Sequence, residues 1–142
     1  MGEPTITIQL PIYNEKYVAT RLVDAVCQQD YPKDKMRIMV LDDSDDDTVE
    51  TMSNTVKKYQ SLGFDIEHVR RGTRSGYKAG ALKHAMKSTD SEFVAIFDAD
   101  FIPPNWYLKK AMPHLQNQIL VLSNVDGDIS MKIIQLSHKL KH

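Results

Sequence analysis

Three clusters of charged residues in this chain have the types and spacing that chemistry requires. Asp98-Ala99-Asp100 places two carboxylates at i and i+2 directly after the apolar run Phe93-Val94-Ala95-Ile96-Phe97. Where a strand opens into a loop, the backbone leaves its period-two alternation, so both carboxylates can turn toward one divalent cation; hard oxygen donors of this kind suit Mg2+ or Mn2+. A solvated loop that caps the following helix is the alternative reading of the same residues. The second cluster is the acidic run Asp42 to Asp47, interrupted only by Ser44. Asp45 to Asp47 precede a helix pattern that starts near Thr48 and are expected to cap it and favour its positive end. Asp42 and Asp43 differ, because they sit on the end of the apolar run Ile38-Met39-Val40-Leu41, where an ionised side chain costs desolvation unless it accepts hydrogen bonds. A ligand or backbone donors must supply them, and a nucleobase imide N–H or a ribose hydroxyl would serve. The third cluster, Arg70 to Leu82, is a basic, glycine-containing loop that runs into a helix with Lys78 in its first turn. Such a segment can cradle a diphosphate or simply be solvated. It has neither the Gly-Lys-Ser/Thr ending of a Walker A loop nor the G-x-G-x-x-G spacing.

These clusters need a scaffold that delivers them to one place. Thr5 to Pro11, Met36 to Leu41 and Phe93 to Phe97 are apolar and strand-like, with a weaker segment at Phe64 to Val69. Helix-patterned stretches separate them: Val18, Leu22, Ala25 and Val26 mark the first inner stripe, and Val49, Met52, Val56 and Tyr59 the second. A third helix follows Ser75-Gly76, with Ala79, Leu82 and Met86 inward, and a fourth follows Pro103-Pro104 and carries Leu108, Met112 and Leu115. Pro113 should bend or shorten that fourth helix. Alternating strands and helices imply an α/β fold, a Rossmann-like three-layer α/β/α arrangement with a mainly parallel sheet. In such sheets ligands bind beyond the carboxyl ends of the strands, and Pro11 to Glu15, the Asp42 run and Asp98-Ala99-Asp100 all follow strand ends. Further on, Gln118 to Leu122 is expected to be a strand and Ile129 to Leu140 an amphipathic helix.

Composition narrows the function classes. Of 142 residues, 42% are hydrophobic and 26% charged, as in globular domains. Eighteen Lys and Arg against nineteen Asp and Glu give a net charge of -1, so no global basic field draws the chain to nucleic acid or anionic lipid. No run approaches the roughly 18 apolar residues that a membrane span needs, and Met1-Gly2-Glu3-Pro4 does not read as a secretory signal, so a cytoplasmic location is the expectation, peripheral to a membrane at most through a partner. The single cysteine, Cys27, lies in an apolar helical setting and is expected to be a buried thiol rather than a nucleophile or metal ligand.

Together, a carboxylate for base or ribose, a basic loop for phosphates and a carboxylate pair for a metal specify a metal-bound nucleoside diphosphate. The sequence resembles the family-two glycosyltransferases of the GT-A fold, and within them the cellulose synthase-like, glucomannan synthase-like branch. The motifs that carry this resemblance are Pro11-Ile12-Tyr13-Asn14-Glu15, Val40 to Thr48, Gly76-Tyr77-Lys78-Ala79-Gly80-Ala81-Leu82 and Phe97-Asp98-Ala99-Asp100-Phe101-Ile102-Pro103-Pro104, in family order within about residues 5 to 116. The resemblance implies a single GT-A-like domain over residues 1–142, of which 5–116 form the donor-binding part and 117–142 a poorly matched tail. It implies that the Pro11 to Glu15 segment, with Pro11, Tyr13 and Glu15, joins Asp43 in contacting nucleobase and ribose, with uridine as the base. Lys78 would face the diphosphate, Asp98 would lie near ribose and metal, and Asp100 would coordinate Mn2+ or Mg2+. The implied reaction moves a hexosyl unit from a UDP-sugar to a glycan or lipid acceptor with inversion. Tyr77 and His84 are expected to have surface or packing roles.

Such inverting enzymes take their general base from a downstream Thr-Glu-Asp motif and hold the acceptor with Gln-x-x-Arg-Trp; this sequence contains neither, and its one tryptophan is Trp106. Asp126 and Asp128 lie in the tail without a clear match. The expectation is therefore a donor-binding half, truncated, split or degenerate, with weak or absent transfer unless a partner chain completes the site, and with exposed apolar surface favouring self-association. A non-catalytic nucleotide-sugar-binding module or split-enzyme fragment is the alternative. A haloacid dehalogenase-like phosphatase would carry its Asp-x-Asp after the first strand and is disfavoured, as is a receiver domain, whose acidic pair also follows the first strand.

Overall fold

In a computed structural model of the chain, residues 2–71, 76, 80–82, 89–99, 101–115, 120–123 and 126–136 are described. Strands β1 to β6 are Ile6–Ile12, Met36–Asp42, Asp65–Val69, Phe93–Phe97, Leu120–Ser123 and Ile129–Gln135; helices α1 to α3 are Lys16–Cys27, Thr48–Ser61 and Tyr107–Ala111. They build one six-stranded sheet in the order β3-β2-β1-β4-β6-β5. The first four strands run parallel, in registers that pair Ile6 with Met36, Ile38 with Ile66 and Ile8 with Ala95. This is the expected mainly parallel α/β sheet.

Strand apolarity has its physical reason in burial on both faces. Ile6, Ile8, Leu10, Ile38 and Val40 are buried with Leu22, Val26, Met52 and Leu108 in the main core, so α1, α2 and α3 supply one layer. Each such aliphatic side chain contributes about 1.5–3 kcal/mol when removed from water. On the other side Met39 and Leu41 cluster with Ala81 and Leu82, where residues 80–82 are helical. Thr7 and Gln9 on β1 are fully buried polar residues; the Thr7 hydroxyl hydrogen-bonds Ser91 Oγ (2.5 Å) and Gln9 Nε2 donates to Thr89 Oγ1 (3.5 Å), which offsets part of the cost of burying them. Cys27 is buried, as expected, and burial pushes its thiol up to about 12, which leaves it inert near neutrality.

The helix patterns hold with small shifts. The buried stripe of α1 is Ala19, Leu22, Val23, Val26 and Cys27, with Val18 and Ala25 only half-buried. In α2 it is Thr48, Met52, Val56 and Tyr59, with Val49 half-buried. Leu108, Met112 and Leu115 are all buried behind Pro103-Pro104, and α3 gives way to a 3-10 turn at Met112–His114, so Pro113 does shorten the helix. Ala79 and Met86 of the third expected helix lie outside the described residues.

The expected helix from Ile129 is overturned: Ile129–Gln135 is strand β6, antiparallel to β4, with Met131 opposite Phe97 and Ile133 opposite Ala95. Ile129, Ile133 and Leu136 fit a helical stripe, but Met131 and Ile133 also alternate with Ser130 and Lys132. The side of β4 away from β1 needs partners for its backbone N–H and C=O groups, and strand pairing supplies them. β5 lies at the sheet edge and exposes Val121 and Leu122; Ile129 on β6 is exposed as well.

Candidate functional site

The carboxyl ends of β1, β2 and β4 meet at one cavity of about 170 Å³. Among the described residues its lining includes Pro11, Tyr13 and Glu15 from the end of β1, Asp43 from the end of β2 and Asp98 from the end of β4, with Leu41 and Ala81 as apolar wall. All five sequence-predicted residues that are described therefore come together. Lys78 and Asp100 lie outside the described residues, as do Tyr77 and His84. The strand order reverses direction between β1 and β4, because β1 leads to β2 on one side while β4 lies on the other. Such a switch point leaves a crevice above the sheet.

Asp43 does not stand alone. Arg71 donates to both of its oxygens, Nε to Oδ1 at 3.0 Å and Nη2 to Oδ2 at 2.6 Å, and both side chains are nearly buried. A bidentate guanidinium fixes carboxylate orientation as well as charge, and Asp43 in turn raises the Arg71 pKa further. Sequence reasoning placed Arg71 only in a basic loop. The signal lay in the parallel register: β3 pairs Val69 with Leu41, which delivers Arg70 and Arg71 beside the residues after Leu41.

Asp42 turns the other way and serves structure. It is 1% exposed, and its carboxylate accepts from Ser44 N–H at 3.0 Å and pairs with His68 Nε2 at 2.7 Å. Burial pushes the Asp42 carboxyl up, but hydrogen bonds from His68 and Ser44 pull harder and hold it below its ordinary value. Arg70 Nη1 donates to the carbonyls of Asp42 (3.0 Å) and Ser44 (2.6 Å), so the end of β2 is pinned.

The expected capping role of Asp45 to Asp47 is corrected in part. Asp46 Oδ1 accepts Thr48 N–H at 2.8 Å, and hydrogen bonds from Thr48 hold its carboxyl below the ordinary range. Asp45 pairs instead with Asn14 in the loop after β1, and Asp47 with Lys16 at the start of α1. Asp47 makes no side-chain cap.

At β4, Asp98 N–H donates to Ser130 O at 2.8 Å, and Asp98 O accepts Phe101 N–H at 3.0 Å, closing a turn. The Phe97 and Phe101 rings bracket this turn with centroids 5.6 Å apart. Asp98 and Glu15 are hard oxygen donors at the cavity, the chemistry Mg2+ or Mn2+ takes. Among the described residues no group of three or more His, Cys, Asp or Glu is arranged to hold a metal. The expected pair, Asp98 with Asp100, falls partly outside them.

The glycine-containing loop has one local requirement that can be tested. Gly76 has φ +76°, Gly80 N–H donates to its carbonyl at 2.9 Å, and a Cβ on Gly76 would sit 3.0 Å from Gly80 Cα. Gly76→Ala is expected to destabilise the chain by about 1–2 kcal/mol, readable as a lower urea midpoint at unchanged slope. An unaltered midpoint would show that the close approach carries no strain.

Comparison with known proteins decides the family. The model of "Glycosyl transferase family 2" matches residues 7–134. The chain belongs to glycosyl transferase family 2. This family 2 chain is 41% identical over 116 residues to "Probable glucomannan 4-beta-mannosyltransferase 15" of Arabidopsis thaliana, covering 79% of the chain and 22% of that relative. The expected glucomannan synthase-like branch is borne out, and the chain spans about a fifth of the relative's length. Among solved structures it is similar to the mannosyltransferase PcManGT from Pyrobaculum calidifontis in complex with GDP-Man and Mn2+, at 32% identity and TM-score 0.65, over 72% of this chain and 30% of that one. S. aureus TarS 1-349 in complex with UDP-GlcNAc is similar at 30% identity and TM-score 0.59, over 75% of this chain and 30% of that one. The family 2 chain has the GT-A fold. No helix among its described residues is long and apolar enough to cross a membrane.

Proposed function

We propose that this chain carries the donor-binding part of an inverting glycosyltransferase, which takes a nucleoside diphosphate sugar with a divalent metal for hexosyl transfer to a glycan or lipid acceptor. The observation that carries the reading is the convergence of Pro11, Tyr13, Glu15, Asp43 and Asp98 from three strand ends on one cavity. At about 170 Å³ the cavity is smaller than the roughly 300 Å³ at which sites for whole drug-sized ligands begin. The base would sit there with the ribose beside it, among Tyr13, Glu15 and Asp43, and Asp100 and Lys78 would meet the diphosphate. Asp98 and Asp100 would hold Mn2+ or Mg2+, which supplies Lewis-acid stabilisation of the departing diphosphate. Mn2+ accompanies the donor in the PcManGT structure, which supports this choice.

Residues 5–116 would form the donor-binding part and residues 117–142 the tail of a single domain, and the acceptor-binding groups and the base would come from a further segment, a membrane-bound partner chain or a second copy. Uridine is the base that the motifs imply, and UDP-GlcNAc in TarS supports it. Guanosine is the second reading, supported by GDP-Man in PcManGT and by the mannosyltransferase relative. Calorimetric titration of UDP, GDP and their hexose conjugates, with and without Mn2+, tests the proposal. Metal-dependent binding that is lost in Asp100→Ala is expected. Absence of binding in a folded sample would withdraw the donor reading and leave a non-catalytic fragment.

A further inference from the structure

Among the described residues, Asn14 is the one non-glycine residue with positive φ, at 51°. That backbone region is costly for most side chains, and Asn and Asp tolerate it because a short polar side chain can bond locally. Asn14 bonds across to another loop instead. Its Nδ2 donates to Asp45 Oδ1 at 2.8 Å, its Oδ1 accepts Asp45 N–H at 2.9 Å, and its own N–H donates to Ser44 Oγ at 2.8 Å. The last sheet pair of β1 and β2 is Ile12 with Asp42, followed by Asp43 N–H to Ile12 O at 3.0 Å. Beyond that point strands in a parallel sheet normally part as their loops lead to separate helices. Here side chains continue the pairing through Asn14, Ser44 and Asp45 to the Lys16–Asp47 ion pair.

The residues tied in this way alternate with residues that line the cavity. Tyr13 and Glu15 flank Asn14, and Asp43 precedes Ser44. Ser44 is 2% exposed and held from behind by Arg70, so the β2 side of the pairing is the fixed one, and Asn14 docks the β1 loop against it. We propose that Asn14 is a positioning residue: its reciprocal pair with Asp45, made in the left-handed conformation, locks the loops after β1 and β2 together and sets the spacing of Tyr13 and Glu15 from Asp43 across the cavity. The role rests on the donor-site reading above.

The reciprocity provides the test. Asn14→Asp keeps the backbone tolerance but sets two carboxylates against each other, whereas Asn14→Asp combined with Asp45→Asn restores both hydrogen bonds with one reversed in direction. Hydrogen exchange of the ligand-free chain is read over residues 11–17 and 42–48, and UDP, GDP and inorganic pyrophosphate are titrated in Mn2+. Asn14→Asp is expected to speed exchange in both segments and to weaken binding of the preferred nucleotide about tenfold, the loss typical of charge-assisted hydrogen bonds, while pyrophosphate affinity holds. The double variant is expected to return exchange and affinity toward wild type. Equal nucleotide affinity in wild type and Asn14→Asp, faster exchange in residues 11–17 alone, parallel loss of pyrophosphate binding, or failure of the double variant to rescue would each overturn the role of Asn14. A wild-type chain that takes neither nucleotide would instead overturn the donor reading, and this role with it.

Discussion

Asp42→Ala is expected to lower the stability of the fold by about 1.5–3 kcal/mol, the cost of removing a charged acceptor from buried donors. The carboxylate is buried at the end of a central strand, and its loss would leave Ser44 N–H and the His68 ring without their acceptor. The milder Asp42→Asn isolates the ionic part, because an amide oxygen can still accept from Ser44. Folding holds the Asp42 carboxyl below its ordinary value, so the unfolded chain binds its proton more tightly than the native one. The stabilisation is therefore present in full above the unfolded value of about 3.9 and is lost as pH falls through the lower, folded value. Urea unfolding of wild type and Asp42→Asn, followed from neutrality into acid, should show a gap that narrows below about pH 4. A gap that stays constant into acid would mean that Asp42 gives no ionic stabilisation. Because the same residue orders Ser44, acid should also loosen the loop that follows β2.

The local parts of this structure were legible in the sequence, and the failures share one cause. Phe93–Phe97 follows from its own composition, and the ends of β1 and β2 from the polar residues that stop them. The convergence of Pro11, Glu15, Asp43 and Asp98 follows from parallel-sheet geometry, because three successive carboxyl ends must share an edge. What could not be read depends on partners distant in sequence. Ile129–Gln135 carries both a helical and a strand period, and only the open side of β4 decides between them. The acidic run looked like a helix cap because capping is local, yet Asp45 and Asp47 pair with Asn14 and Lys16, about thirty residues earlier. Arg71 was visible as a basic residue, but its fork on Asp43 required the register of β3 on β2. Single-residue chemistry was thus available from the sequence, and pairing was not.

The Arg71–Asp43 fork also fixes what the second large effect should look like. Asp43→Ala is expected to weaken UDP or GDP binding in Mn2+ by about 10- to 150-fold, which corresponds to the roughly 1.5–3 kcal/mol of hydrogen bonds to a charged acceptor. Arg71 occupies one direction at each Asp43 oxygen, but an ionised carboxylate offers about four acceptor positions, so a base imide or ribose hydroxyl can share it. Inorganic pyrophosphate has neither group, and its binding should be indifferent to Asp43→Ala. Arg71→Lys keeps the positive charge but loses the planar fork, and its nucleotide affinity should fall between wild type and Asp43→Ala. If instead pyrophosphate and nucleotide weaken together, Asp43 acts on the phosphate side or on folding, and the base would have to be sought elsewhere than beside Tyr13 and Glu15. If nucleotide alone weakens and Arg71→Lys is intermediate, the ion pair that the ligand-free chain already contains is the device that holds the carboxylate ready for the base.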